Sequence, residues 1–163
     1  MDDRSAAKPP SNAPVRRILA IDPGERRLGV AVSDPLGLTA QGVEVVHRKK
    51  AGFEQVLRRL GELADHYDVG RIIVGLPLNM DGSRGPRARR AEAFAKELGQ
   101  RVSVPVDLVD ERLTTVEAED SLRERGLSAA KRKERVDVVA AQLLLQRVLD
   151  AGGQAPRRPA TDP

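Results

Sequence analysis

The sequence predicts an α/β fold, a mixed five-stranded sheet in which an antiparallel meander is followed by parallel strands, with helices covering it. Two patterns lead to that class. Three strand-like apolar runs succeed one another before residue 48 with no helical period between them, as in a meander. After residue 52 the period changes, and helical spacing alternates with short β-branched runs, the order that right-handed parallel crossovers require. A length of 163 residues suits one domain able to bury a core without staples.

The elements follow in order. Ile18 to Ile21 reads as a buried strand that ends on an acid, Asp22. Pro23 and Gly24 supply turn chemistry, because proline fixes φ and glycine tolerates angles that other residues avoid. Leu28 to Val32 forms the returning strand of a hairpin, Pro35-Leu36-Gly37 is a further turn, and Gly42 to His47 is the third strand. Phe53, Val56, Leu57, Leu60 and Leu63 recur at helical spacing, which predicts an amphipathic helix over 53–66. The run RIIVGLPL, 71–78, has little polar alternation and reads as a strand buried on both faces. A helix over 86–98 and a third buried strand over 104–109 come next, the strand running into Asp110 and Glu111. Thr114 with Glu117 fits a capping box opening another helix, which Gly126 stops. The last helix covers 133–151. Residues 1–15 and 152–163 carry proline, alanine and charge with no apolar period, so they are expected as disordered tails around a domain of 16–151.

Composition narrows the chemistry. With no cysteine there is neither a disulfide framework nor a thiolate metal site, and His47 and His66 are the only imidazoles, so a metal would need hard oxygen ligands. Both histidines read as surface or packing residues. No apolar run approaches the length of a membrane span and the N-terminus lacks the apolar core of a signal peptide, so a cytoplasmic location without a membrane partner is expected. The net charge is +4, but residues 84–101 and 121–135 each carry a net +4 and the rest of the chain sums to −4. Positive charge concentrated in this way suits phosphate backbones, although a solvated helix face would produce the same segments. Phe53, Tyr67 and Phe94 are the only aromatics, which favours recognition of backbone and shape over base stacking.

Three acids stand in unusual settings. Asp22 ends the first strand, where an ordinary Asp-Pro-Gly turn would also account for it. Glu111 ends the last strand, at the carboxyl edge where ligands gather in sheets of this order, although a solvent-facing acid before a capped helix would look alike. Asp137 is the most informative. At 100° per residue it falls about 140° from Gln142 and about 20° from Leu144 and Val148, which draws it into the apolar stripe of its helix. A place near the helix N-terminus is the alternative account. If the three meet, each pair at about 5 Å would repel by roughly 3 kcal/mol at an effective dielectric of 20. Either their pKa values rise or cations lie between them. Mg²⁺ or Mn²⁺, held by a few carboxylates and binding phosphate, suits acids ringed by basic segments and would support in-line displacement at a phosphodiester.

AIDPGERRLGVAVSD (20–34), VGLPLNMDG (74–82), DERLTT (110–115) and the run from Asp137 together resemble the YqgF or RuvX family of RNase H-like proteins. That family is described both as candidate Holliday junction resolvases and as candidate nucleases maturing the 5′ end of pre-16S rRNA. The resemblance covers most of residues 16–151 in the family's order, and it implies an RNase H-like fold with Asp22, Glu111 and Asp137 as the catalytic and metal-holding acids. The resolvases it resembles carry a fourth acid, for which no clear equivalent stands in this sequence. Candidate substrate contacts are Gly24 and Arg27 beside the first acid, Asn79 and Asp81 in the loop after the second parallel strand, and Arg84, Lys131 and Lys133 in the basic segments. A turn glycine and a surface arginine are the favoured accounts of Gly24 and Arg27, and turn-making would also account for Asn79 and Asp81.

The expected function is therefore metal-dependent hydrolysis of structured nucleic acid, pre-16S rRNA in ribosome biogenesis or, alternatively, branched DNA. Junction resolution requires a two-fold dimer for symmetric cutting, whereas RNA processing is open to a monomer or a homodimer. A nucleic-acid-binding factor with a silent site is the reading from another class, and it expects Asp22→Asn to leave function intact. An actin-like ATPase would need a second phosphate loop and a second domain, for which 163 residues leave no room.

Overall fold

A computed structural model of the chain describes residues 16–112, 114–153 and 158–159. The meander is present as expected: β1 (Arg17–Pro23), β2 (Arg27–Ser33) and β3 (Ala40–His47) pair antiparallel, with Ile21 opposite Val30 and Leu28 opposite Val46. The β2–β3 turn is held by Asp34, whose carboxylate accepts the backbone N–H groups of Leu36, Leu38 and Thr39. A single helical turn that no period announced, α1 (Arg48–Ala51), then leads into α2 (Phe53–His66), which has the expected bounds. β4 (Val69–Leu76) and β5 (Val106–Asp110) run parallel to β1, separated by α3 (Pro86–Arg101), and α4 (Thr114–Glu124) and α5 (Ala129–Asp150) complete the domain.

Three features differ from expectation for identifiable reasons. α5 begins at Ala129 rather than 133, because the Ser128 hydroxyl caps the backbone N–H of Lys131 and starts the helix a turn before its apolar period. The sheet has six strands rather than five, in the order β3-β2-β1-β4-β5-β6. The added strand, β6 (Arg158–Pro159), lies within the segment expected to be a disordered tail, and pairs antiparallel with β5 through Asp107 and Leu108. Backbone pairing needs no apolar pattern, so this strand has no period to read. The chain is also tied down where it leaves α5: buried Arg71 donates to Asp107 at 2.7 Å and to the Gly153 carbonyl at 2.9 Å. The expectation for 1–15 and the capping-box side chains at the start of α4 lie outside the described residues. His47 and His66 are exposed, as expected of surface residues.

The two faces of the sheet are packed differently. Leu19, Ile21, Leu28, Val30, Ile72 and Val74 point to one side, where they meet Val56, Leu57 and Leu60 of α2 and Phe94 and Leu98 of α3 in the main core. Alternate residues point the other way, and these are smaller: Ala20 and Ala31 pack with Ile73 under Ala141, Leu144, Leu145 and Val148 of α5. Small residues let α5 lie close to the strands. No helix among the described residues is long and apolar enough to cross a membrane.

Candidate active site

The second face carries the acids. Asp22 is the penultimate residue of β1 and shares the α5 side with Ala20, since side chains alternate along a strand. Its register partner on β2 is Gly29, and the β4 residue next after the Ile21 and Val74 pair is Gly75. The carboxylate is therefore flanked on both neighbouring strands by residues without side chains. Each gap admits one further acid. A Cβ at Gly75 would overlap the Glu111 carboxylate, and a Cβ at Gly29 would overlap the backbone of Asp137 and Val138. Gly24 belongs to the same cradle, because its Cβ would stand 2.5 Å from the Arg27 carbonyl oxygen and 3.3 Å from Asp137 Oδ1. Close approach, rather than a left-handed backbone, is what calls for glycine at these three places.

Glu111 follows β5 directly, and its N–H donates to the Leu76 carbonyl at 3.2 Å, continuing the parallel ladder by one step. Its side chain reaches across Gly75 to the Asp22 carboxyl, with which it shares a hydrogen bond. Both groups are buried, 5% exposed for Asp22 and 9% for Glu111. Burial pushes the Glu111 carboxyl up, to about 10, and the hydrogen bond and charge of Asp22 push in the same direction. Burial also raises Asp22, opposed by its hydrogen bond to Glu111 and by the positive charge of Arg87. Without a cation burial thus favours one proton shared between the two carboxyls of the pair.

Asp137 comes from α5, half-buried, with Oδ2 3.7 Å from Arg27 Nε. Burial and then the charge of Asp22 lift it to about 6, with Arg27 pulling the other way. The arrangement is a close buried pair with a third carboxylate beside it. Among the described residues no three His, Cys, Asp or Glu side chains stand close enough together to hold a metal ion. The donor set nonetheless fits a hard divalent cation: all ligands are oxygens, and two buried carboxyls in contact cannot both ionise without a positive charge between them. The next acid along, Asp110, is turned to Arg112, which donates to its carboxylate from Nε at 2.8 Å.

The remaining expected site residues divide into two groups. Gly24 and Arg27 border the acids, and with Arg26 and Arg87 they line a cleft that Asp137 also faces. Lys131 and Lys133 are exposed near the start of α5, and Lys133 lines a second cleft with Arg123 and Arg132. The loop residues are committed elsewhere. Asn79 Nδ2 donates to the Ser83 hydroxyl at 2.9 Å and Asp81 accepts the Ser83 N–H at 2.8 Å, so both side chains fold the loop onto itself. Exposed Arg84 faces Glu92 at 3.4 Å. Three residues escaped the sequence reading: Gly29, Gly75 and Arg87. The glycines had a signal, since each interrupts an apolar strand at the position facing the same side as Asp22.

The RuvX family model, described as Holliday junction resolvase, matches residues 16–151. A protein of Pelotomaculum thermopropionicum named "Putative pre-16S rRNA nuclease" is 51% identical over 144 residues, covering 88% of this chain and 92% of its own length. One of the same name from Streptococcus sanguinis is 47% identical, covering 82% of this chain and 97% of its own. Among solved structures, T. thermophilus RuvC in complex with Holliday junction substrate aligns with a TM-score of 0.56 at 18% identity, over 89% of this chain and 99% of that one. The fowlpox virus Holliday junction resolvase aligns at 0.52 and 13%, over 83% and 99%. At such identities the structural likeness speaks for the fold, which is RNase H-like.

Proposed function

The chain belongs to the RuvX family, and from that premise we propose that residues 16–151 form one nuclease domain, which hydrolyses phosphodiester bonds in structured RNA in the cytoplasm, with pre-16S rRNA as its substrate. The observation that carries the proposal is the buried, hydrogen-bonded pair of Asp22 and Glu111 with Asp137 beside it, at a sheet edge bordered by arginines. Names given to relatives of about half identity supply the substrate.

Asp22, Glu111 and Asp137 are the residues that would hold Mg²⁺ or Mn²⁺. A divalent cation at such a site supplies a water of lowered pKa and offsets charge that develops on the phosphate oxygens. The chain's own groups do the rest. Arg27 holds the Asp137 carboxylate towards the cleft, Arg87 lends positive charge to the acidic pair, and the glycines on either side of Asp22 let Glu111 and the α5 backbone approach it closely. Burial of the pair excludes water from the ligand oxygens, so a charge brought between them acts in a medium of low dielectric.

The family's description favours one second reading on the same acids, resolution of four-way DNA junctions by a homodimer. A single comparison tests both. Wild type and Asp137→Asn are incubated with precursor 16S rRNA and with a four-way DNA junction in Mg²⁺, in Mn²⁺ and in EDTA. RNA cleavage that needs the metal and Asp137 is expected. Cleavage confined to the junction transfers the function to DNA, and cleavage that survives both EDTA and the substitution removes the metal mechanism. A vestigial, binding-only site predicts neither product.

A further inference from the structure

Beyond the acids, on the other side of the β1–β2 turn, three guanidinium groups converge. Arg48 of α1 and Arg87 and Arg90 of α3 line a cleft with Pro23, Gly24 and Glu25. Arg48 is half-buried, with its guanidinium carbon 5.4 Å from the centroid of the Phe94 ring, and its Nε is buried with no hydrogen-bond partner among the described residues. The one acid in the cleft is held loosely: Glu25 and Arg90 approach only to 3.8 Å, and both side chains are more than 60% exposed. Three cations against one solvated anion leave a net positive cleft. Its charges cost stability when empty, and burial together with the field of Arg90 lowers the pKa of Arg48. The neighbouring end of α3 adds to the field, since its first turn contains no acid and Gly85 offers no side-chain cap to the free N–H groups.

The cleft is not isolated from the acidic site. Gly24, Glu25 and Arg87 line both it and the cleft that Asp137 faces, and the charge of Arg87 reaches Asp22 and Glu111. We propose that Arg48, Arg87 and Arg90 form a second anion site, which takes a non-scissile phosphate of the polynucleotide while the scissile one lies at Asp22, Glu111 and Asp137. The inference rests on the nuclease reading for the identity of the polymer. Arginine suits the task, since its planar fork matches phosphate oxygens and Arg48 is already stacked on Phe94 in the required place. A strand bound in this way passes from the α5 side of the sheet edge to the α3 side, which gives it a direction across the acids.

The test is binding rather than cleavage. Fluorescence anisotropy of a labelled single-stranded RNA is measured in EDTA over a series of KCl concentrations for wild type, Arg48→Met, Arg90→Gln and Lys96→Gln. Methionine keeps apolar cover over Phe94, Arg90 is exposed and so tolerant of change, and Lys96 is an exposed cation of α3 outside the cleft. Arg48→Met and Arg90→Gln are each expected to weaken binding by about tenfold, and to reduce the slope of log K against log salt by about 0.7 for each phosphate no longer neutralised. Lys96→Gln is expected to stay within about twofold of wild type, as for a surface charge away from the phosphate path. Equal behaviour of the three variants, or no binding by wild type, overturns the site. The nuclease reading fails separately: wild type that binds through Arg48 and Arg90 but never cleaves with Mg²⁺ leaves the phosphate site and removes the activity, and wild type that cleaves with no dependence on these arginines does the reverse.

Discussion

The two faces of one sheet have been given opposite tasks. On the α2 and α3 side, Leu19, Ile21, Ile72 and Val74 are fully buried against Leu57, Leu60 and Leu98. On the α5 side the same strands carry Ala20, Ala31, Gly29 and Gly75, and the space left by those small residues is filled at one end by a helix and at the other by carboxylates. Large side chains on one surface make the domain stable. Absent side chains on the other make room for a site that lowers its stability, because buried acids in contact repel or must take up protons. Stability and chemistry are thus separated by the period-two alternation of a strand, residue by residue.

Substitutions on the two faces should therefore have opposite signatures, and the largest effect belongs to the acids. Asp22→Asn is expected to lower the rate of RNA cleavage about a thousandfold, equivalent to about 4 kcal/mol of transition-state stabilisation, while raising the melting temperature of the metal-free protein. Leu60→Ala on the other face should do the reverse. Its cost is about 2–5 kcal/mol in unfolding free energy by urea titration, with the turnover of the folded fraction unchanged. The two glycines sharpen the contrast within the active face. Gly29→Ala meets the backbone of α5, so the helix must shift and about 1–3 kcal/mol of stability is lost. Gly75→Ala meets the Glu111 carboxylate first, at the far end of a side chain, so cleavage should fall with little change in melting temperature.

The last expected effect is a pH dependence. Burial and Asp22 raise the pKa of Glu111 in the metal-free fold well above its ordinary value. A raised folded pKa contributes stability that is complete below the unfolded value near 4.5 and is lost as pH rises towards about 10. Thermal unfolding in EDTA should accordingly show wild type declining over that window and Glu111→Gln declining less. Deprotonation is also what frees the ligand oxygens, so cation affinity should rise across the same range.

How much of this was legible in the residues depends on what each feature leaves in a sequence. α2 and the meander were readable because apolar spacing dictates them directly, and Asp137 stood out because an acid in an apolar stripe breaks that spacing. β6 left no trace, because two residues joined by backbone hydrogen bonds and anchored near a buried Arg71 and Asp107 pair have no period. Asn79 and Asp81 looked like site residues from their place after a strand, yet a polar loop residue near a site and one that only ties its own loop have the same spelling. Arg87 was hidden within a basic segment whose total charge could be counted but whose individual directions could not. The register that sets Gly29 and Gly75 on either side of Asp22 is a property of strand pairing, which a single sequence does not contain.

The central claim is that Asp22, Glu111 and Asp137 jointly bind a divalent cation, and it is tested most directly by calorimetric titration of Mn²⁺ into the wild type and into Glu111→Gln at neutral pH. The expected result is saturable binding by the wild type that releases protons, as the shared proton of the buried pair is displaced, and its loss in the variant. Equal Mn²⁺ binding by the two proteins, or binding by the wild type with no proton release, would contradict it.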